Sequence, residues 1–185
     1  VPIDYPTSLF TQLQPYLSGY LGTIDSAAIE LAQTIAQAVE GSAIAFLTEL
    51  NQRIYTTCRY IRRESGEPFP PGLTWRQQGG SCRDFAVLFL EVCRAIGLAA
   101  RFVSGYQEGD PDQSDRDLHA WAEVYLPGAG WRGYDPTQGL AVSDRHIALY
   151  ASPFPRQTAP IFGTLKTIGV QSRMEFVLKL RAQES

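Results

Sequence analysis

The chain has 185 residues, 44% of them hydrophobic and 19% charged, proportions of a globular domain large enough to bury one sizeable core. Sixteen basic against nineteen acidic residues leave a net charge of −3, which gives no reason to expect a nucleic acid or a membrane as partner. No apolar run is long enough to span a bilayer, no signal peptide opens the chain, and three cysteines do not make a disulfide framework.

Residues 1–23 read as an irregular lead-in with a short helix. The stretch from Asp25 to Val39 places Ile29, Leu31, Ile35 and Val39 at helical spacing, with Gly41 as its stop. A second helix is expected from Ala43 to Arg62, its stripe running through Phe46, Leu50, Tyr55, Cys58 and Ile61. "GEPFPPG", residues 66–72, breaks the pattern. A third helix follows Ser81, with Phe85, Leu88, Phe89, Val92 and Ile96 on its apolar side.

Beyond that helix the period becomes two. Residues 99–107 and 118–126 read as strands, 131–135 as the hairpin partner of the second across "PGAG", and 173–180 as a last strand. Helices first and strands second predict an α+β domain, N-terminal helices packed on an antiparallel sheet, in one unit over residues 1–185. The chain starts at Val1, as a piece of a longer protein would.

Ser81 followed by Asp84 is a capping-box pattern. It makes Cys82 the first helical residue, where free backbone N–H groups and the positive end of the helix dipole favour a thiolate. Gly79 and Gly80 remove side chains from the approach. A capped helix with a small residue at its start explains this segment equally well. Cys93 is eleven residues further on, roughly 16 Å along the same helix, too far to pair with Cys82. A reducing, cytoplasmic compartment is the simpler expectation.

His119 is one of only two histidines. Its strand alternates His119, Trp121, Glu123 and Tyr125 with Ala120, Ala122, Val124 and Leu126, and the second set should face the core. If Tyr125 pairs with Trp131, Trp121 faces Asp135 and His119 becomes the diagonal neighbour of Asp135 on one face. A one-residue slip would separate them. A thiol at a helix start, with a base held by a carboxylate, is the general logic of a catalytic triad.

"GGSCRDFAVLFLEVCRAIGLAARFVSGY", "LHAWAEVYLPGAGWRGYDPTQG" and "YASPFPRQTAPIFGTL" together resemble the bacterial transglutaminase-like superfamily, whose fold is related to papain-type cysteine proteases. The resemblance implies Cys82 as nucleophile, His119 as general acid and base, and Asp135 as the orienting carboxylate. Val87 stands where relatives often carry a histidine, and the β-rich N-terminal domain of many relatives is absent. The implied chemistry is acyl transfer through a Cys82 thioester on a peptide or protein substrate, ending in hydrolysis or in capture by an amine. A module that only binds peptides on the same fold would not need the three residues. The oxyanion would take a hydrogen bond from the Cys82 backbone N–H and one from Tyr60, Trp75, Gln77 or Gln78. Gly80, Ser81, Trp121 and Tyr134 are the candidate cleft residues.

The acidic stretch at 108–117 fails as an EF-hand loop, because Asp115 stands where glycine is needed. Zinc would require a Cys/His cluster, which the linear sequence does not display, so neither metal nor cofactor is expected. Cys58 and Cys93 read as core residues, and His146 as a surface residue.

Overall fold

The α+β order holds in space. A computed structural model describes residues 3–63, 65–108 and 118–159, with scattered positions beyond. Helix α1 (Thr7–Leu13) leads to α2 (Ser26–Ala38) and α3 (Ala43–Thr57). A short strand β1 (Arg59–Tyr60), helix α4 (Pro71–Gln77) and a second short strand β2 (Gly79–Gly80) precede α5 (Cys82–Ala95). The sheet follows, with β3 (Ala100–Gln107), β4 (His119–Leu126), β5 (Gly130–Asp135), β6 (Leu140–Ala141) and β7 (His146–Ser152). Its spatial order is β6-β5-β4-β3-β7, and every neighbouring pair is antiparallel.

Helix α5 is the axis of the molecule. It is buried from Cys82 to Arg94 except at Arg83, as a helix enclosed on every side must be. Ala120, Ala122 and Val124 of β4 pack on it from the sheet, as the alternation of β4 predicts, and α2, α3 and α4 cover the rest. Two of its three buried charged residues, Glu91 and Arg94, are satisfied by backbone groups. Glu91 accepts from Tyr20 N at 2.8 Å and Asp25 N at 3.2 Å, while Arg94 donates to the carbonyls of Ser18, Ala100 and Pro153. These bonds tie the lead-in to the core. Tyr5 does the same at the sheet: its hydroxyl donates to Tyr125 O at 3.2 Å and accepts from Ala99 N at 3.0 Å.

The structure corrects several boundaries. Helix α3 ends at Thr57, not Arg62, because the chain finds a better partner: Arg59 N donates to Gln78 O and Ile61 N to Gly80 O, both at 2.8 Å. Ile61, beyond the helix end, and Tyr55, within α3, are both exposed and not part of a buried stripe. The proline run ends one pattern and starts another, since Pro71 opens α4, where its missing N–H is harmless. Strand β7 (His146–Ser152) is an element that was not expected. The expected strand at 173–180 and most of the acidic stretch, residues 109–117, lie outside the described residues.

Strand β7 joins β3 through a bulge. Ser104 pairs with Tyr150 but Gly105 pairs with Ala148, so Leu149 is the extra residue. A side chain at position 105 would have its Cβ 2.1 Å from Ile147 O and 2.6 Å from the Trp121 ring. Gly105→Ala should therefore lower unfolding stability by about 2 kcal/mol or more, read as a fall in the urea midpoint. An unchanged midpoint would mean that the bulge can move aside.

Candidate active site

The head of α5 is fixed by one carboxylate. Asp84, fully buried, accepts from Ser81 N at 2.6 Å, Ser81 Oγ at 2.8 Å and Phe69 N at 2.7 Å. Arg63 Nη1 completes the set at 2.7 Å. The expected capping box is present, and Cys82 is the first residue of the helix, with only 7% of its surface exposed. The glycine before it has a different purpose from the one expected. A Cβ at Gly80 would lie 2.7 Å from Asp84 Cβ, so position 80 makes room for the carboxylate. Gly80 and Ser81 are both buried, which removes them from an open cleft.

The sheet supplies the second half of the site. Tyr125 pairs with Trp131 in the β4–β5 ladder, the register that brings His119 and Asp135 to the same end of the sheet. His119 Nε2 lies 2.7 Å from Asp135 Oδ2. Asp135 is fully buried, and its Oδ1 accepts from Thr137 N at 2.9 Å. Burial alone would push the Asp135 carboxyl up, but the bonds from His119 and His146 prevail and hold it well below its ordinary 3.8. It is a carboxylate, and so only an acceptor.

Burial works against a charged ring at His119. The hydrogen bonds and charges of Asp135 and Cys82 outweigh it and raise the His119 pKa to about 10. The Nε2 of His119 is given to Asp135, which leaves Nδ1 as the ring's second nitrogen. Cys58 and Cys93 are core residues, as expected. Burial pushes the Cys58 thiol up to about 11 and Cys93 well above the ordinary range.

His146 is not a surface residue. Its side chain is 4% exposed, and its Nε2 lies 3.2 Å from the same Asp135 Oδ2 that binds His119. The two histidines of the chain therefore meet at one oxygen. Sequence reasoning missed this because no strand was expected over residues 146–152, although "HIALYAS" carries five apolar residues at strand length.

This cluster also revises the expectation about metal ligands. His119, Asp135 and His146 each offer a ligand atom, all within 4.8 Å of one another. The His119–Asp135 separation of 2.7 Å is a hydrogen-bond distance. Two ligands about 2.0 Å from a tetrahedral zinc would stand roughly 3.3 Å apart, so zinc would have to spread this pair.

The other expected site residues are divided. Tyr60 pairs with Gly80 across the β1–β2 ladder, and its ring meets Phe85 edge-on at 6.5 Å, one turn from Cys82. Trp75 packs against the core. The side chains of Gln77 and Gln78 face solvent at the end of α4. Trp121 is 1% exposed and stands edge-on to His146 at 5.3 Å, and Tyr134 stacks on Phe89 at 5.5 Å. Both aromatics have packing partners, Trp121 buried and Tyr134 half-buried.

The family model described as the transglutaminase-like superfamily matches residues 29–136, a span that includes Cys82, His119 and Asp135. The chain belongs to this superfamily. An uncharacterized protein of Mycobacterium tuberculosis is 34% identical over 136 residues, covering 67% of this chain and 43% of that protein. The chain thus matches less than half the length of such curated relatives. The periplasmic domain of TgpA from Pseudomonas aeruginosa superposes with a TM-score of 0.53 at 26% identity, over 70% of this chain and 48% of that one. A structure from Cytophaga hutchinsonii, described as a candidate cysteine protease, reaches a TM-score of 0.66 at 23% identity, over 89% and 54% of the two chains. This last likeness establishes the shared transglutaminase and papain-like fold. Among the described residues, no helix is long and apolar enough to cross a membrane.

The His119–Asp135 bond gives the superfamily site a defined pH dependence. A raised histidine pKa stabilises fully below its unfolded value of 6.5, and the effect is lost as pH rises through about 10. A depressed carboxyl pKa stabilises fully above 3.8, and the effect is lost on further acidification. The gap in melting temperature between the parent protein and Asp135→Asn should therefore be widest between these two unfolded values and close towards pH 10. Thermal unfolding followed across pH checks this; a gap that widens with alkali would contradict it.

Proposed function

We propose that this chain is a cysteine hydrolase that cleaves peptide or amide bonds through a thioester on Cys82. The observation that supports the reading is the ring of His119, held through Nε2 by the buried Asp135 at 2.7 Å, in a chain whose Cys82 opens helix α5. Membership of the superfamily agrees with it.

In this reading the Cys82 sulfur attacks the substrate carbonyl carbon, forming a C–S bond and a tetrahedral oxyanion. His119, protonated and held by Asp135, gives its proton to the leaving amine as the C–N bond breaks. It then takes a proton from water, whose oxygen attacks the thioester and releases the acid and the thiol. The backbone N–H of Cys82 at the free end of α5 is one oxyanion donor. Tyr60 is the best placed of the four candidate side chains, because β1 holds it beside Gly80. The substrate is a peptide or protein, handled by a single domain. Three unpaired cysteines, Cys58, Cys82 and Cys93, suit the cytoplasm.

The test is a screen of peptides and carboxamides, run with and without a primary amine. Product release without amine incorporation is the expected result, and Cys82→Ala should reduce it by about a thousandfold or more. Incorporation of the amine in preference to hydrolysis would make the chain a transamidase instead. Turnover that survives Cys82→Ala would end the cysteine-enzyme reading.

A further inference from the structure

Strand β7 brings to the site a residue for which the proposed chemistry has no role, and the bulge in its pairing determines where that residue points. On β3, Val103 and Gly105 pair with Trp121 and His119 of β4, and Gln107 shares their face by alternation. After the bulge, His146 pairs with Gln107. Continuing the ladder beyond Ser104–Tyr150 without the extra residue would put Ile147 opposite Gln107 and turn His146 to the other face. One inserted residue thus aims the imidazole at Asp135.

Once there, the ring has one polar partner among the described residues. Its Nε2 is 3.2 Å from Asp135 Oδ2, and its Nδ1 is buried with no hydrogen-bond partner among the described residues. An ionised carboxylate can only accept, so His146 carries its proton on Nε2 and donates it. An unpaired buried polar atom is unfavourable, so the ring is placed for Asp135 at the expense of its other nitrogen. The carboxylate is then held by His146 Nε2 and Thr137 N, while Oδ2 still faces His119. Trp121, against the His146 edge at 5.3 Å, limits the ring's swing.

We infer that His146 is a positioning residue, a second donor that fixes the Asp135 carboxylate so that His119 presents its remaining nitrogen to Cys82. The inference rests on the cysteine-hydrolase reading for its purpose, but the hydrogen bond can be tested without turnover. It lies outside the residues matched by the family model, which end at position 136.

The experiment measures iodoacetamide labelling of Cys82 between pH 5 and 10, by mass spectrometry of its peptide, in the parent chain and three variants. Asp135→Asn is the reference for loss of orientation. His146→Phe keeps a ring against Trp121 but has no donor, and His146→Gln keeps an N–H near the position of Nε2. We expect His146→Phe to slow labelling at neutral pH about tenfold towards the Asp135→Asn rate, and His146→Gln to recover it to within about threefold of the parent. A His146→Phe rate equal to the parent, with Asp135→Asn slow, overturns the inference and leaves the hydrolase reading standing. Equal slowing by Phe and Gln overturns the donor assignment. Slow, uniform labelling of all three parent thiols defeats the hydrolase reading itself. In that case, and if a variant fails to fold, nitrogen-15 histidine spectra of the parent decide: two rings protonated at Nε2 support the inference, and an unprotonated His146 Nε2 overturns it.

Discussion

A carboxylate with no contact with solvent holds this molecule together at its chemical end. Asp84 gathers the N-cap Ser81, the loop residue Phe69 and the guanidinium of Arg63, so three separated segments end on one anion. Breaking a buried, paired charge costs about 3–5 kcal/mol, which makes this junction far stiffer than an ordinary helix start. The preceding Gly80 exists to let the carboxylate in. Cys82 inherits its position from Asp84, two residues later in the helix. The thiol is placed by a buried anion.

The opposite half of the site depends on register. Strands β4 and β5 bring His119 and Asp135 together only because Tyr125 pairs with Trp131. Strand β7 adds His146 only because β3 and β7 are bulged at Gly105. These two constraints differ in kind. The first follows from a short hairpin with an apolar side to bury, and the second from a glycine that lets Ile147 O and the Trp121 ring approach a bare Cα. The two meet at Asp135 Oδ2, where an error of one residue in either ladder would remove a histidine.

This difference explains what the sequence made legible. Alternation along "LHAWAEVYL" marked the core face of β4 correctly, since Ala120, Ala122, Val124 and Leu126 are buried, while the hairpin register was an assumption that the ladder bears out. Serine and aspartate three apart announced the head of α5. His146 was not legible, because a bulge shifts facing without any change in apolar pattern, and a histidine at a strand start looks like a surface residue. The end of α3 was hidden for a related reason. Residues 58–62 keep helical spacing, but their backbone is claimed by Gln78 and Gly80, a tertiary pairing that local periodicity does not contain. Gly80 misled because a missing side chain has the same appearance whether it admits a substrate or a buried aspartate.

The convergence on Asp135 has an energetic consequence for how such a site keeps its shape. A carboxylate at the end of a strand, followed by Pro136, has few ladder bonds to hold it, and a single imidazole can follow it through several orientations. Two donors on Oδ2 and one on Oδ1 leave the group little freedom. Each of these bonds involves a charge in a dry environment, where hydrogen bonds are stronger and unmet partners more costly. The uncompensated Nδ1 of His146 shows where the opposing cost is carried: on the ring of His146, which in the proposed hydrolase reading leaves the second nitrogen of His119 for the thiol. A fold that required only a stable sheet edge would be better served by an apolar residue at position 146. A histidine there makes sense when the orientation of the aspartate matters more than the stability its own ring forgoes.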